Sequence, residues 1–465
     1  MKNELLLISI ASDSHRNIGC LSLYASAVHD GISTNLLFIP RVAEYSEREF
    51  AQYLADNAFK VVGISLTTRD YYFARTVTAH VRKHLPGAHI VWGGIHPTSK
   101  PGECLDHADS LCLGEGEVFL PELVRTLRAG RDISRIPGIG IRTNGEDIIN
   151  PPSLIEDLNA LPFPRFHFEH FRVLDGTGLH QFGPPDYVRY ARHNGDGYVL
   201  LTSRSCPHRC SYCINSFLNR LYTNNVRRLY RRRTVDDTLA EISHALATIP
   251  GIGFINFMDD HFLTDEKWLV EFCEKYRRDI RLPFIIRATP GTVKDRYITR
   301  LKDAGLQTVQ MGIQSGSEKT HRTIFHRSYK VDEVLSAVSV LKKHDLVCMY
   351  DFIIENDFET DEDRDKTIEL MLRIPKPFIA NLFAMTVFPR TDLEAMYRKR
   401  NMVPRIDPYA SNYFDFSQDN FYYQLASLIP LIDENEARRI FENRHDTAVV
   451  RQLRELYAHK MAADS

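Results

Sequence analysis

Three closely spaced cysteines constrain this chain more than any other feature. Cys206, Cys210 and Cys213 have the spacing C-x3-C-x2-C and directly follow the apolar run 198–201. A short apolar run bounded by polar residues is typical of a buried strand, so we expect the cysteines on the loop that leaves its carboxyl end. Iron–sulfur clusters are usually held by four cysteines. Three close cysteines without an obvious fourth would leave one iron open to a substrate or cofactor.

Two other uses of these cysteines fit the spacing less well. A zinc site would need a fourth ligand, for which His208 is a candidate. His208 lies inside the cysteine loop, however, and no paired C-x-x-C or H-x3-H follows. A disulfide framework fits less well still, because the remaining cysteines are dispersed in apolar segments, where cysteine behaves as a small buried residue. The pattern therefore favours an iron–sulfur cluster.

Length and composition indicate a globular protein of two or three domains. The chain has 465 residues and a formal net charge of −2, which gives no sign of a nucleic-acid partner. Dispersed cysteines are typical of a reducing compartment. No apolar run approaches the roughly 18 residues of a membrane-spanning helix, and the apolar start of the chain is too short for a signal peptide. We therefore expect a cytoplasmic protein without a membrane partner.

Residues 1–150 alternate between strand and helix patterns. This alternation predicts an α/β domain with an open, doubly wound parallel sheet, whose ligands bind at the carboxyl ends of the strands. Polar or glycine-rich sequences follow four of the expected strands. They are Asp13-Ser14-His15, Ser65-Leu66-Thr67-Thr68, Gly93-Gly94-Ile95-His96 and Gly114-Glu115-Gly116-Glu117.

Residues 151–195 are rich in proline and aromatic residues and show no clean period. Proline fixes the backbone dihedral φ and removes a hydrogen-bond donor, so an extended connector packed against a domain is expected here.

Strands and helices alternate again from residue 196 to residue 395. Six β/α units predict a partial (β/α)6 TIM-like barrel with a lateral opening, since a full barrel has about eight. Residues 396–465 are expected to form a small, mostly helical C-terminal cap with a charged amphipathic helix at 433–460. The expected barrel strands are 198–201, 254–258, 284–287, 308–313, 348–354 and 380–387.

The basic run 227–233 has two open explanations. It is either a solvated surface or an anchor for a phosphate or carboxylate of the substrate.

The cysteine loop and the barrel strand ends together resemble the radical S-adenosylmethionine (SAM) enzymes. The strand-end sequences that carry this resemblance are Met258-Asp259-Asp260-His261, Gln314-Ser315-Gly316-Ser317-Glu318 and Phe388-Pro389-Arg390-Thr391-Asp392-Leu393. In this family three such cysteines hold a 4Fe-4S cluster, and reductive cleavage of the bound SAM gives a 5′-deoxyadenosyl radical. The resemblance also implies an electron donor such as flavodoxin or ferredoxin.

The resemblance assigns further residues to the SAM site. It implies that Tyr212 lies over the adenine and that Asp259 or Asp260 binds the methionine amino group, although two aspartates here replace the Gly-Gly-Glu turn of the family. A carboxylate suits an amine, and Arg287 suits the methionine carboxylate. Gln314, which stands where the family has Glu, and Ser315 would contact the ribose and methionine.

Residues 1–150 resemble the cobalamin-binding domain that precedes the barrel in many of these enzymes. The resemblance implies that Ser65 and Thr67 bind the nucleotide tail, that Gly93 and Gly94 allow close approach, and that Glu115 belongs to the closing turn.

The segment Asp13-x-His15-x-x-x-Gly19 is one residue longer than the D-x-H-x-x-G pattern of proteins whose histidine binds cobalt. Ligation of cobalt by His15 and its absence both stay open, as does a domain kept as a scaffold without cobalamin.

The expected function is methylation of an unactivated carbon or phosphorus centre in a metabolite or natural-product intermediate. The alternative is a radical rearrangement, dehydration or cyclisation without methyl transfer. A third hypothesis is a non-enzymatic iron–sulfur sensor or electron carrier. Asp259, Arg287 and the segment 314–318 count against it, because a carrier needs no pocket for an amino acid and a ribose. No catalytic residue is singled out by the sequence.

Overall fold

The computed structural model of the chain describes residues 3–11, 17–40, 44–189, 197–222, 229–409 and 420–463. The chain divides into two compact units. The first unit comprises Met1–Arg204 and Leu218–Asn256, and the second comprises Ser205–Phe217 and Phe257–Ser465. The three clustered cysteines therefore belong to the second unit, and the strand-end sequences of residues 1–150 belong to the first.

A nine-stranded sheet forms the centre of the described part of the first unit. Its strands are β1 (Leu5–Ala11), β2 (Thr34–Pro40), β3 (Val61–Ser65), β4 (His89–Gly93), β5 (Ser110–Cys112), β6 (Ile139–Thr143), β7 (Glu146–Ile149), β8 (Phe171–Asp175) and β9 (Gly178–Gln181). Their order across the sheet is β7-β6-β5-β4-β3-β1-β2-β8-β9. Strands β1 to β5 and β8 run parallel, whereas β6, β7 and β9 are antiparallel to their neighbours.

The helices of this region separate the parallel strands. They are α1 (Ile18–His29), α2 (Glu47–Asn57), α3 (Tyr71–His84), α4 (Ile95–Ser99), α5 (Pro101–Cys104), α6 (Phe119–Arg128) and α7 (Pro184–Arg189). Every residue of β2 is buried, as expected for a parallel strand whose two faces are both covered by helices. The predicted doubly wound sheet is confirmed.

Two hairpins extend the sheet beyond the predicted strands, one at each edge. Strands β8 and β9 lie within residues 151–195, where the sequence predicted extended chain, and β8 pairs with β2 from Leu36 to Phe38. The backbone groups of β2 would otherwise stay unpaired on that side, so the hairpin supplies hydrogen bonds that an edge strand lacks.

The remaining elements continue the alternation of strands and helices. In chain order they are β10 (Gly197–Leu200), β11 (Ser203–Arg204), α8 (Ile214–Tyr222), β12 (Arg231–Arg232), α9 (Val235–Thr248), β13 (Phe254–Phe257), α10 (Glu266–Asp279), β14 (Phe284–Ala288), α11 (Asp295–Ala304), β15 (Leu306–Gln314), α12 (Glu318–Thr323), α13 (Val331–Lys343), β16 (Val347–Glu355), α14 (Asp361–Arg373), β17 (Ile379–Ala384) and α15 (Asp392–Lys399). The six strands β10 and β13 to β17 are those predicted for a partial TIM-like barrel. Strands β14 to β17 pair in parallel within the second unit.

Burial alternates along the strands of the second unit. Val309, Met311 and Tyr350 are buried, whereas Gln310 and Asp351 are only partly buried. Because successive side chains of a strand point to opposite faces, the partly buried residues share the inner face of this sheet.

The C-terminal region is helical, but its last part differs from the prediction. Beyond α16 (Phe421–Leu428), two helices, α17 (Glu434–Glu442) and α18 (Thr447–Ala463), replace the single helix expected at 433–460, so that prediction was wrong. Arg444 leaves the helical path and donates to Asp365 at 2.8 Å, which stabilises the break. None of the helices that the structure describes combines the length and apolarity needed to cross a membrane.

Candidate functional site

The three predicted cluster ligands lie on one loop, and none of the three forms a disulfide. Cys210 is buried, while Cys206 and Cys213 are partly exposed. Burial, with a smaller contribution from the neighbouring cysteines, raises the pKa of Cys206 and Cys213 to about 12, so the three thiols lie near one another. In the described ranges, no three thiol, imidazole or carboxylate groups converge on a single metal-ion position. The cysteines of an iron–sulfur cluster bind separate irons and need not converge on one position.

Ser211, between the second and third cysteines, anchors the loop. Its backbone N–H donates to the carbonyl of Phe325 at 3.1 Å, and its hydroxyl donates to the carbonyl of Ile324. Its own carbonyl accepts from the N–H of Leu393 at 2.9 Å. Two segments distant in sequence therefore hold the cysteine loop in place.

Tyr212 connects the loop to a buried arginine. Its hydroxyl accepts a hydrogen bond from Nη1 of Arg327 at 3.1 Å and also hydrogen-bonds Cys210. Its ring packs edge-on against Phe325, with 5.1 Å between the ring centroids. The placement of Tyr212 over an adenine stays a prediction.

Arg327 is a buried cation that the sequence analysis missed. The residue is 6% exposed, its Nη2 donates to the carbonyl of Gly312 at 3.2 Å, and its guanidinium stacks on Tyr329 at 4.3 Å. Its Nε has no hydrogen-bond partner, and no carboxylate of the described residues forms an ion pair with it. Burying a cation without a direct ion pair costs several kcal/mol. The residues around the cysteine loop therefore fit an anionic group. Nothing in the local sequence indicates that this arginine is buried.

The two aspartates after β13 have different environments. Asp259 is fully buried, whereas Asp260 is exposed and accepts from Nδ2 of Asn215 at 2.8 Å. The charge of Asp260 contributes to raising the pKa of both Cys206 and Cys213, so this carboxylate lies beside the cysteine loop. Asp260 is therefore the better placed of the two predicted carboxylates.

Arg287 belongs to a row of polar side chains across four strands. It donates from Nε to Gln310 at 3.3 Å and from Nη1 to the carbonyl of Met258 at 3.4 Å. Gln310 in turn donates to both oxygens of Asp351 at 3.0 Å, and Asn381 donates to Asp351 at 2.8 Å. Burial raises the pKa of the Asp351 carboxyl. Gln310 and Asp351 were not predicted as site residues.

Gln314 and Ser315 lie at the end of β15 in a distorted backbone. Gln314 has φ of 75°, in the left-handed region, and the pairing with β16 shifts register between Gly312 and Gln314. Such a conformation costs about 1–3 kcal/mol and re-aims the side chain. Ser315 is buried, and its hydroxyl donates to Oε1 of Glu359 at 2.8 Å and accepts from the N–H of Ser317 at 3.1 Å. Contact of Ser315 with a cofactor stays a prediction.

Glu359 is another buried group that the sequence did not reveal. Burial raises its pKa from 4.5 to about 7, although the hydrogen bond from Ser315 lowers it. A carboxyl group in this state is largely protonated at mildly acid pH.

In the first unit, the predicted cobalamin contacts gather at the carboxyl ends of β3 and β4. Ser65 is partly exposed and hydrogen-bonds Cys20, and Thr67 is exposed and donates to Asp70 at 2.7 Å. Gly94 has φ of 98°, and a Cβ there would lie 2.6 Å from the carbonyl oxygen of Leu66. Glycine is therefore required here by packing, and it also leaves the backbone uncovered. Gly93, the last residue of β4, directly precedes Gly94. The other two predicted contacts, Asp13 and His15, lie outside the described residues.

Glu115 was predicted to contact cobalamin, but its side chain accepts hydrogen bonds from two arginines. Its Oε1 accepts from Arg204 at 3.1 Å and from Arg231 at 2.9 Å, and its Oε2 accepts from Arg231 and from the N–H of Ile155, both at 2.9 Å. These contacts support an architectural role for its side chain, and cofactor contact stays a prediction. They also explain part of the basic run 227–233, since Arg231 is buried in this network rather than solvated.

Two family models match the chain. Residues 4–124 match the B12 binding domain and residues 200–371 match the Radical SAM superfamily.

Curated relatives resemble most of the chain at low identity. An uncharacterized methyltransferase of Pyrococcus horikoshii is 26% identical over 341 residues, which covers 72% of this chain and 68% of the relative. The anaerobic magnesium-protoporphyrin IX monomethyl ester cyclase of Synechocystis is 27% identical over 315 residues, covering 66% of this chain and 57% of the cyclase. The chain therefore spans less than two thirds of that cyclase.

Solved structures share the fold. The radical SAM methyltransferase TsrM from Kitasatospora setae, with cobalamin and a [4Fe-4S] cluster bound, has a TM-score of 0.68 at 18% identity, covering 86% of this chain and 75% of its own. The cobalamin-dependent radical enzyme OxsB, with aqua-cobalamin and SAM bound, has a TM-score of 0.71 at 14% identity, covering 98% and 71%.

A B12-binding domain and a radical SAM domain thus occur in one chain. The protein belongs to the cobalamin-dependent radical SAM enzymes. The radical SAM domain implies a 4Fe-4S cluster and SAM, and the B12-binding domain implies cobalamin. The predicted family, fold class and cofactors are confirmed.

The raised pKa of Glu359 predicts a specific pH dependence of stability. Its pKa in the folded chain, about 7, exceeds its ordinary value of 4.5, so its contribution to stability falls as pH rises from 4.5 and levels off above 7. Glu359→Gln keeps the oxygen that accepts from Ser315 and removes the charge. We expect the variant to gain about 2–3 kcal/mol relative to the parent chain between pH 5 and pH 8, measured by urea unfolding. A pH-independent difference between the two would show that Glu359 titrates normally.

Proposed function

We propose that this enzyme methylates an unactivated carbon or phosphorus centre of a small metabolite or natural-product intermediate. The observation that carries the proposal is the joint presence of a B12-binding domain and a radical SAM domain with its three-cysteine loop. The relative from Pyrococcus and the solved TsrM are both named methyltransferases. When bound, the cluster and SAM supply one-electron chemistry, and cobalamin supplies a transferable methyl group.

The residues around the cysteine loop suggest how SAM would be held. Cys206, Cys210 and Cys213 would bind the cluster. Arg327 would pair with the SAM carboxylate, because it is buried without a carboxylate partner among the described residues. Asp260 would accept from the amino group, since a charged donor favours a charged acceptor.

Arg287 is the less suitable of the two arginines for the SAM carboxylate. Its charge contributes to lowering the pKa of two nearby carboxyl groups, those of Asp260 and Asp351, whereas the charge of Arg327 acts on Asp351 but not on Asp260. In this proposal Arg327, and not Arg287 as the sequence predicted, binds the SAM carboxylate.

The first unit offers a surface suited to cobalamin. Ser65 and Thr67 present hydroxyls at the strand ends, and Gly93 and Gly94 leave the neighbouring backbone without side chains. Ligands of doubly wound sheets bind at this edge. The motif around His15 leaves two possibilities open. Either His15 binds cobalt, or the lower face of cobalt has no histidine ligand.

Ring closure without methyl transfer is the second candidate. The relatives from Synechocystis and Cereibacter sphaeroides are both named cyclases, and the latter is 25% identical over 410 residues, covering 83% of this chain and 60% of the cyclase. Either reaction requires an electron, and a flavodoxin or ferredoxin of the reducing cytoplasm would supply it. Neither requires a nucleic acid or a membrane.

The cluster assignment predicts a clear loss of iron. After anaerobic reconstitution, the triple variant Cys206→Ala/Cys210→Ala/Cys213→Ala should lack both the visible iron–sulfur absorption and bound iron, because its ligands are gone. Cys273→Ala, which removes a buried thiol of α10, is the matched control and should keep both. A triple variant that retained its absorption would place the cluster elsewhere.

The assignment of Arg327 predicts a selective loss of SAM affinity. A hydrogen bond to a charged group contributes about 1.5–3 kcal/mol, so Arg327→Gln should weaken SAM binding about 10- to 100-fold in the cluster-loaded protein. Equilibrium dialysis with labelled SAM measures this directly. Arg322→Gln, on the exposed surface nearby, should bind SAM normally. A larger loss for Arg287→Gln than for Arg327→Gln would restore the original assignment.

Cobalamin content and product mass separate methyl transfer from ring closure. After anaerobic expression with hydroxocobalamin, we expect one cobalamin per chain by visible spectrum and mass spectrometry, and S-adenosylhomocysteine among the products. A protein with an intact cluster but no cobalamin would contradict methyl transfer and favour ring closure. His15→Ala, measured alongside, should change the cobalt spectrum only if His15 binds the metal.

A further inference from the structure

The sulfur of Cys210 has a side-chain hydrogen-bond donor beside it. Backbone N–H groups donate to the other two predicted cluster ligands, that of His208 to Cys206 and that of Asn215 to Cys213. Cys210 instead hydrogen-bonds the hydroxyl of Tyr212. A substitution can remove a side-chain donor, whereas a backbone donor stays with the chain, so Tyr212 is the position at which sequence can adjust this set of hydrogen bonds.

The direction of the hydrogen bonds around Tyr212 follows from the groups that make them. A guanidinium carries five N–H donors and no acceptor, and a tyrosine hydroxyl has one proton and two lone pairs. Nη1 of Arg327, 3.1 Å from the hydroxyl oxygen, must therefore donate to it, which leaves the hydroxyl proton for Cys210. A hydroxyl that accepts from a cation is polarised and donates more strongly. Arg327, Tyr212 and Cys210 thus form a chain of two hydrogen bonds that ends on a sulfur.

The ring of Tyr212 is held in place by apolar contacts. It packs against a buried group of side chains that includes Phe325, Ile353 and Leu393. The carbonyl of Phe325 also accepts the N–H of Ser211, so the ring and the cysteine loop are held by the same residue. Loss of the hydroxyl alone should therefore leave the ring where it is.

We propose that the Tyr212 hydroxyl raises the reduction potential of the cluster by donating a hydrogen bond to the sulfur of Cys210. The inference deepens the cluster assignment made under the proposed function and rests on it. Hydrogen bonds to the sulfurs are among the factors that set the potential of an iron–sulfur cluster. The reduced cluster carries one more negative charge than the oxidised cluster, so a donor to its ligand stabilises the reduced form more. Tyr212 acts here through Cys210, as a positioning residue.

Two substitutions change this donor in opposite directions. Tyr212→Phe removes only the hydroxyl, and Tyr212→3-fluorotyrosine makes the hydroxyl a stronger donor. Tyr276→Phe is the matched control, because Tyr276 is buried in the same unit and its hydroxyl donates to the carbonyl of Leu282 at 3.0 Å. The full-length, cluster-loaded proteins are titrated anaerobically, without SAM, with titanium(III) citrate. Each Ti(III) ion loses one electron, the cluster gains it, and the reduced cluster is measured by electron paramagnetic resonance.

The proposal predicts an order of potentials. We expect the equilibrium constant for one-electron reduction to be about tenfold smaller in Tyr212→Phe than in the parent, which is a fall of about 59 mV in midpoint potential. The fluorinated protein should have a higher potential than the parent, and the Tyr276→Phe control should equal the parent.

Iron content and SAM affinity separate this result from damage to the site. Tyr212→Phe should hold as much iron as the parent and bind SAM with the parent's affinity in equilibrium dialysis, because the cysteines and Arg327 remain. An unchanged potential at full iron content would overturn the role of Tyr212 and leave the cluster assignment standing, whereas a parent chain without iron would overturn both. A lower potential together with weaker SAM binding would ascribe the change to a displaced Arg327 and overturn the role of the hydroxyl. If Tyr212→Phe lost its iron, the fluorinated protein would decide, and a potential at or below that of the parent would overturn the proposal.

Discussion

The ion pairs of Glu115 join the end of β5 to the two-stranded ladder of β11 and β12 within the first unit. Arg204 of β11 and Arg231 of β12 lie directly opposite each other in a two-stranded ladder. Like charges in that position repel, but Glu115 accepts from both, and Arg204 also pairs with Glu117. Removing one partner of a buried pair typically costs about 3–5 kcal/mol, because the other charge stays buried. The end of β5 is thereby joined to the strand that leads directly into the cysteine loop.

The cost of desolvation distinguishes arginines that hold this fold together from one that is available to an anion. Arg231 is buried and Arg204 is partly buried, and both have carboxylate partners that hold the fold together. Arg327 is also buried, yet its contacts are a tyrosine hydroxyl, a carbonyl and an aromatic ring. A buried cation left in this state is stabilised only when an anion binds beside it. Its contact with Tyr212, which lies between Cys210 and Cys213 in the sequence, supports the proposal that this anion is the SAM carboxylate.

Local patterns in the sequence were sufficient to predict the fold, whereas the metal ligands Cys206, Cys210 and Cys213 stay a prediction. The strands β14 to β17 are apolar runs between helices with clear periodicity, and the cysteines share one short loop, so neither depends on distant residues. The edge hairpin of β8 and β9 was missed, because the prolines that flank it suggested extended chain. The roles of Glu115 and Arg327 were not predictable, since the partners of Glu115 lie 89 and 116 residues away and the burial of Arg327 is set by tertiary packing.

Within the segment from Gly312 to Gly316, Gln314 is the side chain that remains available for the predicted contact with SAM. A Cβ on Gly316 would lie 2.1 Å from the carbonyl oxygen of Lys366, so this backbone packs directly against α14. Ile313 is fully buried, and the hydroxyl of Ser315 is bonded to Glu359. Gln314 is left as the partly exposed side chain of the segment, on a backbone held at φ of 75° by its neighbours. A strained residue persists only where its surroundings fix it, and here they keep Gln314 out of the core, as its predicted contact with SAM requires.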